Sequence, residues 1–154
     1  MKLWVDVIRA LEGRTLATAE SCTGGGIGSA LTSVPGSSAV YKGGVICYTN
    51  WVKEHILGVD PLTLEKYGAV SAPVAQQMAK GVADVLQADV AVSVTGLAGP
   101  DGDEYGHCVG TVFIGCYCPW HSEVREYCFS GDRAAVREQA VTAALELVFE
   151  ILTA

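Results

Sequence analysis

The segment Glu20-Ser21-Cys22-Thr23-Gly24-Gly25-Gly26 carries the strongest local chemical signal in the chain. A strand that ends in a glycine-rich turn and opens a helix presents free backbone N–H groups and the positive end of the helix dipole. Such a turn can hold a phosphate or stabilise an oxyanion beside a nucleophile. It lacks the GK[ST] ending of a P-loop and the spacing of a GxSxG elbow. By itself the motif also fits a plainer role, in which Ser21 or Thr23 caps the helix and the glycines satisfy a turn.

A nucleophilic serine needs a base, because a free hydroxyl is almost never ionised near neutrality. The three histidines fall in a helix (His55), a loop (His107) and a surface turn (His121), and none sits in a recognisable triad setting. Lysine can serve instead if burial or a positive neighbour lowers its pKa from about 10.4. Lys53 follows the strand end Cys47-Tyr48-Thr49-Asn50 by one helical turn from Asn50. From there its amine could be aimed beyond the strand ends, where ligands bind in open α/β sheets. Lys66 and Lys80 fall on exposed helix faces. Residue types alone do not choose among the lysines.

Two further clusters invite chemistry. In Ser93-Val94-Thr95-Gly96-Leu97-Ala98-Gly99-Pro100-Asp101-Gly102 a buried strand empties into a glycine-rich loop, with Thr95 at the strand's end. A long irregular loop in a compact domain leans towards function. Its acidic residues Asp101, Asp103 and Glu104 do not follow the register of a calcium loop, and the terminal Glu is missing. In Gly131-Asp132-Arg133-Ala134-Ala135-Val136-Arg137 the two arginines are one helical turn apart. They could grip a phosphate or carboxylate, or form an exposed basic face paired with Glu138 or Asp132.

These residues need elements to position them. Hydrophobic spacing predicts helices over 3–12, 26–33, 50–57, 61–66, 73–87 and 132–152, the last capped by Asp132 or Ser130. Strands are expected at 15–19, 45–49 (with Gly43-Gly44 just ahead) and 89–95, and a hairpin at 109–118 and 123–129 turns across Pro119-Trp120. Alternating strands and helices followed by a hairpin and a closing helix predict a single α/β/α layer sandwich with a mixed, mostly parallel sheet. At 154 residues, half of them hydrophobic, one domain over 1–154 is expected.

Charge and cysteines narrow the function classes. A net charge of −7 argues against nucleic acid or an anionic membrane as partner, though not against a small phosphorylated ligand. No apolar run reaches the roughly 20 residues that span a bilayer. The opening MKLWVDVIRALEG does not read as a signal peptide, so a cytoplasmic location is expected. The six cysteines form no CxxC pair and the histidines are too scattered to complete a zinc box, so no metal is expected. Reduced, structural thiols follow, with Cys116 and Cys118 the candidates for an exception.

Taken together, the segments resemble the CinA C-terminal domain family, whose stand-alone members include nicotinamide mononucleotide deamidases. The matching stretches are AESCTGG at 19–25, PGSS at 35–38, YTNWVK at 48–53 and GAVS at 68–71. They continue with VSVTGLAGPDG at 92–102, VGTVF at 109–113 and FSGDRAAVREQA at 129–140. The resemblance covers roughly residues 5–152 in order. It implies a Ser/Lys hydrolase without metal or other cofactor, in which Ser21 attacks the carboxamide carbon and Lys53 accepts its proton. It implies an oxyanion hole among the backbone N–H groups of Cys22, Thr23, Gly24 and Gly25. Tyr48, Asn50, Thr95 and Gly96 match motif positions expected to line the pocket. Arg133 and Arg137 match the GDR…R pattern and are expected to hold phosphate or support the site. The implied partner is a small nucleotide substrate, and a homo-oligomer, dimer favoured, is expected, with Trp4 and Trp51 as interface candidates.

One departure stands out. Relatives usually carry Lys-Pro before VGTV, where this chain has His107-Cys108. That bears on the shape of the 99–108 loop and on substrate preference. The larger N-terminal domain of many relatives is not expected here, and its pyrophosphatase activity does not transfer. The competing class is a non-catalytic nucleotide-binding or regulatory module of the same fold. A metal or redox protein using Cys116 and Cys118 is the third.

Overall fold

The computed structural model describes residues 2–154. The chain runs α1 (Leu3–Leu11), β1 (Leu16–Glu20), α2 (Gly26–Thr32), a short 3-10 turn (Ser37–Ala39), β2 (Tyr41–Ile46), α3 (Asn50–His55) and α4 (Pro61–Tyr67). It continues with α5 (Ala72–Leu86), β3 (Val90–Gly96), β4 (Thr111–Cys118), β5 (His121–Cys128) and α6 (Arg133–Thr153). The sheet order is β2-β1-β3-β4-β5. β1 pairs in parallel with β2 and β3, and β4 is antiparallel to both β3 and β5. Four strands therefore share a direction and only β4 opposes them, which makes the sheet mixed and mostly parallel.

Strand alternation sorts the side chains into two cores. Leu16, Val90, Val92, Val94, Val112 and Ile114 pack with Val7 and Leu11 of α1, Ile27 and Leu31 of α2, and the buried stripe of α6. Ala17, Ala19 and Ala91 face the other way, against Val74, Met78 and Val82 of α5 and Leu64 of α4. Asp132 caps α6 by accepting from the Ala135 N–H at 2.9 Å, which settles the choice between Asp132 and Ser130. No helix of the described residues is long and apolar enough to cross a membrane.

Most element ends fall within one or two residues of the sequence expectation, and two differences bear on the site and the hairpin. β2 occupies Tyr41–Ile46, not 45–49, and Gly43 and Gly44 lie inside it. Gly44 belongs there because a Cβ would run into Thr18 Oγ1 on the neighbouring strand. The chain leaves the sheet at Cys47, where its carbonyl turns to Lys53 instead of a strand partner. His121 opens β5 as a strand residue rather than sitting in the turn.

Candidate active site

β1, the middle member of the parallel trio, ends at Glu20, and its chain neighbour Ser21 emerges between the C-terminal ends of β2 and β3. The sheet pattern carries on for one more pair on each side. Cys47 N–H donates to the Glu20 carbonyl and Ser21 N–H to the Val94 carbonyl, each at 3.0 Å. This is the crevice beyond the carboxyl ends of parallel strands, where backbone geometry opens a site.

Thr49 caps the next helix, α3, by accepting from the Val52 N–H at 3.5 Å. One turn in, Lys53 points back under the sheet edge. Its Nζ lies 3.0 Å from Ser21 Oγ and 2.7 Å from the Cys47 carbonyl oxygen. Lys53 is 1% exposed, and no acidic side chain pairs with it among the described residues. Burial lowers its pKa from the ordinary 10.5 because the charged form is penalised away from water. A neutral amine has two hydrogens and one lone pair. It can donate to Cys47 and accept the hydrogen of Ser21, the arrangement a general base requires.

The cleft above this pair has a volume of about 690 Å³. Ser21, Cys22, Tyr48, Asn50, Thr95 and Gly96 all line it. Thr95 gives its hydroxyl to the Ala69 carbonyl at 2.8 Å, so it shapes the wall more than it offers a donor. Gly96 is a glycine because a Cβ would meet Val112 Cγ2 at 2.6 Å. Burial also pushes the neighbouring thiols Cys22 and Cys47 up to about 11, which keeps both protonated near neutrality.

Other expected site residues take different positions. Thr23, Gly24 and Gly25 do not line the cleft. The Thr23 hydroxyl goes to Glu20 Oε1 at 2.8 Å, and the Gly24 N–H is spent on the Ser21 carbonyl at 3.1 Å. Of the glycine turn, only Cys22 borders the space beside Ser21. The two arginines also part company. Arg137 donates from Nε to the Cys22 carbonyl (3.0 Å) and from Nη2 to the Thr23 carbonyl (3.2 Å), clamping the turn from outside. Arg133 lines the cleft and bridges its two lips, donating to the Gly99 carbonyl at 2.7 Å and to Tyr48 Oη at 3.1 Å. The i, i+4 spacing placed them on one helix face correctly. The curl of the turn around Arg137 is a tertiary feature that the spacing does not encode.

The long loop after β3 forms the opposite wall, with Asp101, Asp103, Glu104 and Tyr105. Tyr105 ties it to α4 by donating its hydroxyl to the Glu65 carbonyl at 2.8 Å. His107, at the departure noted in the sequence, packs Nδ1 against Asp103 Oδ2 at 2.7 Å, while its N–H donates to Asp103 Oδ1 at 3.0 Å. Hydrogen bonding to His107 holds the Asp103 carboxyl below its usual value despite partial desolvation. The loop is thus internally braced by the very residue that departs from the common pattern.

Glu20, to which the motif assigns no role, is a buried carboxylate at the base of the turn. Its position at the end of an all-buried strand, two residues after Thr18, was the available signal. Four of the six cysteines lie in the core and two at the surface. Cys22, Cys47, Cys116 and Cys118 are buried, Cys108 and Cys128 are exposed, and all are free. No group of His, Cys, Asp and Glu able to hold a metal occurs among the described residues.

Comparison with known proteins agrees with this architecture. A family model described as the CinA C-terminal domain matches residues 2–152. A CinA-like protein of Thermotoga neapolitana is 49% identical over 133 residues, 86% of this chain and 32% of that protein. A putative competence-damage inducible protein of Bacillus subtilis is 43% identical over 141 residues, 92% of this chain and 34% of that one. The chain spans about a third of the length of these curated relatives. The crystal structure of competence damage-inducible protein A from Klebsiella pneumoniae matches with a TM-score of 0.95 at 38% identity, covering 98% of this chain and 95% of that one. The competence/damage inducible protein of Agrobacterium tumefaciens matches with a TM-score of 0.90 at 38% identity, over 99% and 94% of the two chains. A match along nearly the whole sequence and the whole fold means that this chain belongs to the CinA C-terminal domain family.

Proposed function

We propose that the chain is a metal-independent Ser/Lys amidohydrolase that converts nicotinamide mononucleotide to nicotinate mononucleotide and ammonia, in the salvage of pyridine nucleotides. The observation that carries this reading is the 3.0 Å approach of Lys53 Nζ to Ser21 Oγ in a buried setting without a counter-charge. Ser21 Oγ adds to the carboxamide carbon as its proton passes to Lys53. The C–N bond then breaks, and Lys53 returns that proton to the departing ammonia. Water attacks the Ser21 ester, again losing a proton to Lys53, and the acid leaves as Oγ is reprotonated.

Charge around the cleft favours this substrate class. The pyridinium ring of the nucleotide is a cation and its phosphate an anion. The cleft carries acidic Asp101, Asp103 and Glu104 on one wall and Arg133 at the other lip. Of the expected oxyanion donors, Cys22 is the one whose residue lines the cleft, so its N–H is proposed for that role, and Arg133 with Tyr48 and Asn50 is the expected grip on the phosphoribosyl end. Arg137 supports the turn instead. The working unit is proposed to be the single domain over 1–154, cytoplasmic and homo-oligomeric, with neither nucleic acid nor membrane as partner.

The test is ammonia release from nicotinamide mononucleotide, with no metal added and with a chelator present. Turnover supports the proposal. Saturable nucleotide binding by calorimetry with no ammonia over hours would replace it with the regulatory-module reading.

A further inference from the structure

We propose that Glu20 is a positioning residue for the nucleophile, locking the Ser21 turn through its carboxylate; the inference rests on Ser21 and Lys53 being the reacting pair. Glu20 is 2% exposed and makes no salt bridge among the described residues. An unpaired carboxylate in that setting is costly unless its oxygens are well supplied with donors. They are. Oε1 accepts from Thr23 Oγ1 and from the Ile27 N–H, both at 2.8 Å. Oε2 accepts from the Gly28 N–H at 3.0 Å and from Thr18 Oγ1 at 3.4 Å.

The donors lie on both sides of Ser21 in sequence, so the carboxylate closes the turn into a ring. The residue before the nucleophile is tied to the start of α2, which follows it. Helix starts are usually capped by the residue immediately ahead, but here Gly25 occupies that place without a side-chain cap. The cap comes instead from the residue bonded to Ser21. Space for it is cleared by small residues. A Cβ on Gly28 would sit 2.8 Å from Tyr41 Oη and 3.5 Å from Glu20 Oε2. With the Ser21 carbonyl also held by the Gly24 N–H, little freedom remains at Oγ relative to the amine that must take its proton. Arg137 clamps the same turn from the opposite side, so the nucleophile is held between an inner anion and an outer cation.

The test is Glu20→Gln, which keeps the shape but faces the Gly28 N–H with a donor. Two readouts are followed in chains shown to be folded by circular dichroism: ammonia release, and the rate at which a fluorophosphonate labels Ser21. The expected result is a fall in both kcat and labelling rate of about 10- to 100-fold, with KM changed less than about threefold, as for a small displacement of a reacting group. The pH midpoint of labelling stays where it was, because Lys53 is untouched, while the plateau drops. Unchanged kcat and labelling, or a raised KM at constant kcat, overturns the proposal. Should Glu20→Gln not fold, Thr23→Val removes one arm of the ring and retains the charge. A folded Thr23→Val chain with an undiminished labelling rate then overturns it equally. If the unmodified chain labels but releases no ammonia, the amidase reading falls and the labelling comparison alone decides the role of Glu20. A chain that does neither ends both proposals.

Discussion

Lys53 Nζ lies 2.7 Å from the carbonyl oxygen of Cys47, the residue at which β2 leaves the sheet. That bond holds one hydrogen of the amine against the strand end and leaves its lone pair to Ser21. The amine is therefore oriented by a backbone group, not by a carboxylate, and a carboxylate would favour its charged form.

A rising pH profile follows. The proposed base works only when neutral, and burial places its pKa below 10.5. The value of kcat/KM should rise with pH through a single deprotonation and level off above it. A profile flat from pH 6 to pH 10 would contradict a lysine base.

The same shift makes a stability prediction. In the window between the lowered folded value and 10.5, the unfolded chain holds a proton that the folded chain does not. Stability should therefore rise with pH across that window and be lost as pH falls. Lys53→Met should abolish this part of the pH dependence and be more stable than the parent near neutrality, with the gap closing towards pH 10.5. Thermal unfolding of both chains from pH 6 to pH 10 measures it.

The arginines should separate kinetically. Arg133→Ala removes the charge at the cleft lip and is expected to raise KM by about tenfold or more, the scale of a charge-assisted hydrogen bond. Arg137→Ala frees the Cys22 and Thr23 carbonyls and should lower kcat by about tenfold or more with a smaller effect on KM. Steady-state kinetics on the two variants should show this split, and equal effects on KM would contradict it.

How much of this was legible in the sequence can be judged from particular residues. Ser21 stood out because the glycine turn that follows it is local. Lys53 lies 32 positions away, and only the family resemblance linked it to Ser21, since its burial depends on a helix folding under the ends of β1 and β2. The sheet and its layers follow from the alternation of strand and helix segments along the chain, whereas β2 starts earlier than expected because Gly43 and Gly44 look like a turn. Their reason for being in a strand, contact with Thr18 on β1, is visible only across the pairing. Arg137 matched a motif suited to phosphate, yet its donors are used by the carbonyls of residues far away in sequence. Glu20 is a similar case: a glutamate closing a buried strand signals a special role, but not which amides its oxygens reach.

Thiol chemistry gives an independent check on the nucleophile. Cys22 and Cys47 are buried and held up to about 11, and Cys118, lowered to about 7 by its hydrogen bond with Cys116, is shielded by burial, so Cys108 and Cys128 should react fastest with iodoacetamide at pH 7.5. Mass spectrometry should count two early adducts, and activity should survive them. Rapid loss of activity accompanied by modification of Cys22 would point to a thiol nucleophile.

The most direct measurement is ammonia release from nicotinamide mononucleotide by the parent chain, Ser21→Ala and Lys53→Met, each verified as folded. The account predicts turnover by the parent and a loss of about 10³-fold or more in each variant, the scale of removing a nucleophile or its base. Parent-like release from either folded variant would contradict the pairing of this serine with this lysine.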